Sequence, residues 1–248
     1  MLVKQAANVL DLMEFFARRK QPATLSEISQ EFGWPRSSTF NIVGTLVERG
    51  FLYEPVPRDG YYPTPRWLVL AQEIAAAEPL PADVHGLLQD LMSSTGETVF
   101  IAAPAGTSAV LLDVVETSAD VRYFARIGQR LPIQVSAAGR AILAQYGASE
   151  RASVLKKVKF ERYAAGSLMS IKAVEDDIVQ SLARGWFESI DAFTKDVAGI
   201  AMPLPVKGRR LSLVVGGPTF RVLPRMQTLG RSVRDTIKKY LAAKGAHP

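Results

Sequence analysis

The sequence predicts an α+β chain in two parts: a small, mainly helical N-terminal domain and a larger domain of mixed strands and helices. Three observations carry this. Three stretches with helical apolar spacing, separated by breakers, precede residue 50. An Asp59-Gly60 turn signal with aromatic residues on both sides follows them. Beyond Glu78-Pro79-Leu80-Pro81, short β-type runs and helical runs alternate to the end.

Residues 5–18 place Ala6, Val9, Leu10, Leu12, Met13 and Phe16 at helical spacing, and Gln21-Pro22-Ala23 breaks that helix. Thr24 with Glu27 has the spacing of a capping box for the next helix, whose inner face is Leu25, Ile28 and Phe32. Gly33 stops it, and Pro35 suits the start of a third. From Arg36 to Glu48 the apolar set is Phe40, Val43, Leu46 and Val47. Phe51 to Glu54 reads as a strand, Asp59-Gly60 as a hairpin turn, and Tyr61-Tyr62 as the returning strand. Arg66 to Ala77 is a helix that ends at the proline-rich break, where the domain boundary is expected.

The second part reads as a helix over 82–93, strands at Val99 to Ala103 and Ala109 to Val115, an extended run from Val121 to Ile127, and a loop from Gly128 to Pro132. A small-residue helix at Ser136 to Gln145 follows, then helices near 149–158 and 172–184. Strands at Ala198 to Pro203 and Arg209 to Val215 precede a final helix over about 222–243. An antiparallel sheet is expected.

Composition narrows the chemistry. There is no cysteine, so disulfides, thiolate metal sites and cysteine nucleophiles are excluded. The two histidines, His85 and His247, lie far apart, which argues against a histidine metal site or triad. No apolar run approaches the roughly 20 residues of a membrane span, the N-terminus does not read as a signal peptide, and a cytoplasmic chain without cofactor or metal is expected. The net charge of +6 does not locate a nucleic-acid site. Residues 1–77 hold eight bases and eight acids, whereas residues 220–248 hold seven bases against Asp235 alone. A basic helix face in solvent explains that tail as well as a binding surface does.

Helix, helix, short turn, helix and a hairpin with a basic tip is the order of a winged helix-turn-helix. A helix entering the major groove presents short polar side chains on its N-terminal outer face. Arg36, Ser37, Ser38, Thr39 and Asn41 fill that role, and Arg58 sits at the hairpin tip. The pattern alone leaves a protein-docking bundle open, with Ser37, Ser38 and Thr39 as ordinary caps.

Four stretches in order resolve this by resemblance: LSEISQEFGWPRSSTFNIVGTLVERGFL, STGETVFIAAP, GQRLPIQVSAAGRAILA and GIAMPLP. Together they resemble the IclR (isocitrate lyase regulator) family of bacterial transcription regulators over nearly the full length. The resemblance implies a winged helix-turn-helix at 1–65, a linker helix at 66–80 and a GAF-like α/β effector-binding domain at 81–248. It implies a homodimer or homotetramer on a roughly palindromic double-stranded DNA operator, with a small organic acid, often aromatic or a keto acid, as effector.

A carboxylate seeks arginine, a helix start or backbone N–H groups. Gly128 and Arg130, followed by Ser136, Ala137 and Gly139, offer all three; Ser189 and Asp191 can meet the ligand's far end, and Tyr123, Phe124, Trp186 and Phe193 its apolar part. Small residues at 136–139 serve tight packing equally well. The chain departs from the family pattern at Asn41, at Arg140 of the Gly139-Arg140-Ala141 stretch, at Ser189 and Asp191, and at Gly199, Val214 and Gly216. A pocket less polar than that of a keto-acid sensor is expected. Two other readings stay open: a DNA-binding regulator with a vestigial sensor, and a hydrolase built on Ser136, Asp191 and His85.

Overall fold

A computed structural model of the chain describes residues 3–77, 80–81, 83–206 and 208–244. The Glu78-Pro79 break, the first position of the helix expected over 82–93, and His247 lie outside them. The chain divides into two units, residues 1–81 and 82–248.

The first unit holds α1 (Lys4–Arg19), α2 (Leu25–Phe32), α3 (Arg36–Glu48), β1 (Leu52–Tyr53), β2 (Tyr62–Pro63) and α4 (Arg66–Ala76). The expected capping box forms: Glu27 N donates to Thr24 Oγ1 at 3.2 Å and Thr24 N donates to Glu27 at 2.8 Å. Such a cap contributes about 1 kcal/mol. The Thr24 N–H, then Arg19, holds the Glu27 carboxyl below the usual carboxylate range. Gly33 ends α2 in the left-handed conformation. Leu12, Phe16, Ile28, Val43, Leu46 and Leu52 form the core.

Two local expectations are corrected here. The buried face of α3 is Thr39, Val43 and Leu46, while Phe40 is 64% exposed and Val47 also faces outward. The apolar residues of α3 therefore straddle both faces, and apolar content alone misplaced the inner one. The hairpin also lacks a two-residue Asp-Gly turn. Tyr53 pairs with Tyr62, leaving eight residues between them. Gly60 serves a different need: its backbone runs so close to Ala23 that a Cβ would lie 2.4 Å from the Ala23 carbonyl carbon. That approach lets Ala23 and Tyr61 exchange backbone hydrogen bonds at 3.0 and 2.8 Å, tying the hairpin to the segment before α2.

The second unit contains α5 (Asp83–Thr95), β3 (Thr98–Ala105), β4 (Ser108–Val115), β5 (Arg130–Pro132), α6 (Ala137–Leu143), α7 (Ala148–Leu155), α8 (Ile171–Arg184), β6 (Phe187–Ile190), β7 (Val197–Val206), β8 (Arg209–Pro218), α9 (Thr219–Val222) and α10 (Met226–Ala243). Its sheet is antiparallel in the order β5-β4-β3-β8-β7-β6. α6 packs on one face; α5 and α10 pack on the other. Both faces of the central strands are thus covered, which is why β8 is buried from Leu211 to Pro218 rather than alternating.

The segment Val121 to Ile127, expected to be extended, forms no strand. It is an anchored loop instead: Thr98 Oγ1 donates to Tyr123 O at 2.9 Å and Arg221 to Val121 O at 3.0 Å. The expected loop before Pro132 ends in β5, which pairs with β4. β6 carries no alternating apolar signal and was not readable. Pro224 divides the final helix into α9, a short 3₁₀ turn and α10. Among the described residues no helix is long and apolar enough to cross a membrane.

α6 is placed by close backbone contact. Ser136 caps it, accepting from Gly139 N at 3.0 Å, and a Cβ at Gly139 would lie 2.2 Å from the Ile133 carbonyl oxygen. Gly139→Ala is therefore expected to cost about 1–3 kcal/mol through overpacking, read by urea unfolding. Gly128→Ala, at a φ of +82° in open space, should cost about 1 kcal/mol from backbone strain alone. Equal losses at the two positions would contradict the close approach.

Candidate functional site

In the first unit α3 presents Arg36, Ser37, Phe40 and Asn41 outward, with Gly44 and Thr45 one turn on. Ser38 is half-buried. Thr39 is removed from the outward set: it is fully buried, and its Oγ1 donates to Pro35 O at 3.3 Å. Its hydroxyl supports the start of α3. Phe40 was missed, because it was assigned to the core; its exposed ring stands between Ser37 and Asn41, where an apolar side chain can meet a thymine methyl. The signal was the helical spacing of 37, 41 and 44. Arg58 lies in the hairpin connection at a φ of 69°, with its backbone N–H held by Glu54 at 2.7 Å.

In the second unit a cavity of ≈ 50 Å³ opens between α6 and the sheet. Aromatic walls come from Phe100, Tyr123 and Phe193; Leu131, Val197 and Val214 add aliphatic surface. Ala137, Ala138, Ala198, Gly199 and Gly216 keep it open where larger side chains would fill it. Ser136, Ser189 and Thr194 supply hydroxyls, and among the described residues no Asp, Glu, Lys, Arg or His side chain lines it. Burial raises the Tyr123 phenol above its ordinary value, against the opposing hydrogen bond with Gln129, so it stays protonated at neutral pH.

Of the residues expected around an effector, Tyr123, Ser136, Ala137, Ser189 and Phe193 line this cavity. The others stand elsewhere. Phe124 is half-exposed with the Arg126 guanidinium over its ring. Gly128 forms a left-handed turn. Arg130 donates to Ala105 O at 2.7 Å along the sheet edge. Gly139 is spent on the Ile133 backbone. Trp186 lies against Gly230 with Arg184 and Arg234 near its ring. Asp191 turns the chain after β6, accepting from Asp196 N at 2.6 Å. Each of these was drawn in by type and nearness in sequence, and each is committed to a local structural partner. Gly199, Val214 and Gly216, which the sequence marks as departures from the family pattern, line the cavity with Val197 and Ala198, and Gly199 opposes Gly216 across the β7–β8 pairing.

The hydrolase grouping is dispersed among other partners: His85 Nδ1 is 2.9 Å from Asp113, Ser136 caps α6, and Asp191 holds Asp196.

Arg140 joins the cavity's two sides. It is buried beneath α6 and forms an ion pair with Asp177 Oδ2 of α8, 2.5 Å from Nε. Its terminal nitrogens donate to Val135 O at 2.5 Å, to Gln134 O at 3.4 Å and to Glu188 O. The residues after two of those carbonyls, Ser136 and Ser189, line the cavity. Burial pushes the guanidinium pKa down; Asp177 opposes that. A second buried charge secures the Tyr123 loop from beneath. Glu97 is fully buried and Arg221 grips it with two contacts, at 2.5 and 2.7 Å, while also reaching Val121 O.

Two family models match this architecture. One, described as the bacterial transcriptional regulator IclR C-terminal region, matches residues 73–240; the other, the IclR helix-turn-helix domain, matches residues 5–55. The acetate operon repressor of Salmonella typhimurium is 26% identical, covering 98% of this chain and 90% of its own. The transcriptional repressor IclR of Escherichia coli is 27% identical with the same coverage. Among solved structures, Thermotoga maritima IclR has a TM-score of 0.73 at 18% identity over 95% of this chain and 98% of its own. An IclR homolog from Microbacterium hydrocarbonoxydans, complexed with 4-hydroxybenzoate, has a TM-score of 0.73 at 22% identity over 96% and 99%.

Asp177→Asn leaves the Arg140 charge buried without its counterion. Because Asp177 is partly exposed, the expected loss is about 2–3 kcal/mol, below the full cost of breaking a deeply buried pair. Urea unfolding measures it, and a change within about 0.5 kcal/mol, the size of an ordinary surface substitution, would show that Arg140 is neutralised some other way.

Proposed function

The chain belongs to the IclR family of bacterial transcriptional regulators, and from that premise we propose that it binds a roughly palindromic operator as a homodimer or homotetramer, with a small aromatic acid in the second unit's cavity setting operator affinity. The lining of that cavity carries the effector assignment: three aromatic rings, three Ser and Thr hydroxyls and, among the described residues, no charged side chain. A benzene-type ring suits such walls. The Ser136 hydroxyl already donates to Pro132 O at 3.0 Å, so the backbone N–H groups that the first turn of α6 leaves without helical partners, with the Ser189 and Thr194 hydroxyls of the lining, are the donors offered to a carboxylate. The IclR homolog complexed with 4-hydroxybenzoate supports the same class of effector.

The cavity at ≈ 50 Å³ is smaller than the about 150 Å³ that holds benzene in an apolar core. A ring therefore enters only if a wall moves. Tyr123 sits on the anchored loop and Phe193 on the turn after β6, so widening falls to these two rings turning about their side-chain torsions while the loop backbone stays held. A ligand that prefers the widened state shifts the population toward it. Uncovered Leu68, Val69, Leu70 and Ile74 on α4 support self-association. On α3, Arg36, Ser37, Phe40 and Asn41, with Arg58 of the hairpin, are the proposed operator contacts.

Thermal unfolding with 4-hydroxybenzoate, benzoate, pyruvate and glyoxylate tests the effector class. A ligand at 100 times its Kd adds about 2.7 kcal/mol, and the aromatic acids are expected to raise Tm while the keto acids do not. Stabilisation by keto acids alone would overturn the aromatic assignment; stabilisation by none would favour a vestigial sensor, which the small cavity volume also fits. For DNA, Asn41→Ala should cost about 1–3 kcal/mol on the operator. Arg36→Ala should lower the slope of log affinity against log salt by about 1.

A further inference from the structure

A second cleft in the sensor unit, of ≈ 300 Å³, has the opposite chemistry to the effector cavity. Its lining includes Gln134, which is 2% exposed. The Gln134 side-chain amide is half used: Nε2 donates to Lys159 O at 3.4 Å, whereas Oε1 is buried and accepts no hydrogen bond. Buried polar atoms in folded proteins nearly always find partners, so an orphaned acceptor in the lining of a cleft marks a place for a donor. The walls carry Lys157 and Lys159, and among the described residues neither has an acidic partner. Ser108 adds a hydroxyl. Glu161 is the one acid of the lining, against two lysines; burial first, and then this carboxylate, push the Tyr163 phenol above its ordinary value.

We propose that this cleft binds a small hydroxylated acid, carboxylic or phosphoric, whose anion is taken by Lys157 and Lys159 and whose hydroxyl donates to Gln134 Oε1. Both halves of that chemistry are required. The ammonium groups attract an anion, and the orphaned carbonyl selects an anion bearing a donor. The two cavities thereby divide ligands by character. An aromatic ring suits the one without charged walls, and a polar acid suits the one with lysines. They are joined by the chain itself: Pro132 and Gln134 line the cleft, and Ser136, two residues on, lines the effector cavity. The assignment stands on the cleft's own residues and holds whichever molecule occupies the effector cavity.

Calorimetric titration of the full chain with glycerol 3-phosphate, glycerate and glycerol tests it. At least one of the two acids is expected to bind with a Kd below about 1 mM and glycerol not to bind; which acid is tighter tells a phosphoric from a carboxylic ligand. The exposed double variant Lys157→Ala/Lys159→Ala should weaken binding about tenfold or more, the size of a lost charge-assisted contact. Gln134→Met, which keeps the shape and removes the acceptor, should weaken it about fivefold. Both should bind 4-hydroxybenzoate as the unaltered chain does. If Gln134→Met does not fold, the surface lysine variant decides. No binding of either acid below about 10 mM, or binding that the lysine variant leaves unchanged, overturns the proposal.

Discussion

A guanidinium group taken out of water costs several kcal/mol unless its charge and its N–H groups are matched. Arg140 is in that position, and the sensor unit is arranged around meeting its demands. Asp177 brings α8 under α6, the carbonyls of Gln134 and Val135 bend the segment before α6, and the Glu188 carbonyl fixes β6. The same segment and strand carry Ser136 and Ser189 into the cavity. One buried charge thus sets the separation of two walls that meet the same space. The Glu97–Arg221 pair does similar work for the third wall, holding the Tyr123 loop through Val121.

Between these fixed points the cavity's character follows from what is small. Gly199 and Gly216 oppose each other on β7 and β8. A Cβ on Gly216 would come within 3.4 Å of the Tyr123 ring, and one on Gly199 within 3.2 Å of the Val215 carbonyl oxygen. Small residues there let rings, rather than polar side chains, form the lining. Three arginines that could have supplied a charge are committed elsewhere: Arg140 to its clasp, Arg130 to the sheet edge, Arg221 to Glu97. The absence of charge in the cavity is thus a consequence of where the arginines are pinned.

Local signals in the sequence were legible because their partners lie a few residues away. The Thr24 and Glu27 cap, the Gly33 stop, the Ser136 cap and the helical spans follow from such spacing and appear in the structure with small shifts at their ends. Features set by distant partners were not legible. β5 exists because β4 is beside it, Arg140 is a clasp because Asp177 lies 37 positions on, and Gly60 is needed because Ala23 approaches it. Tyr123, Ser136, Ala137, Ser189 and Phe193 were reachable as cavity residues through the resemblance and side-chain type. Trp186 and Asp191 show the limit of that reasoning, since side-chain type cannot say which way a residue near a strand end turns. Phe40 fails in the opposite direction: a large apolar side chain reads as core, and only the register of α3 puts it outside.

The central claim is that occupation of the cavity changes how α3 and the hairpin hold DNA. The most direct measurement is fluorescence anisotropy of the full chain on DNA from its adjoining intergenic region, across a salt series, with and without saturating 4-hydroxybenzoate. The account predicts specific binding that weakens steeply with salt and an operator Kd shifted by at least about fivefold by the ligand, the lower end of ordinary allosteric coupling. An operator Kd unchanged by an acid that demonstrably binds the protein would contradict it.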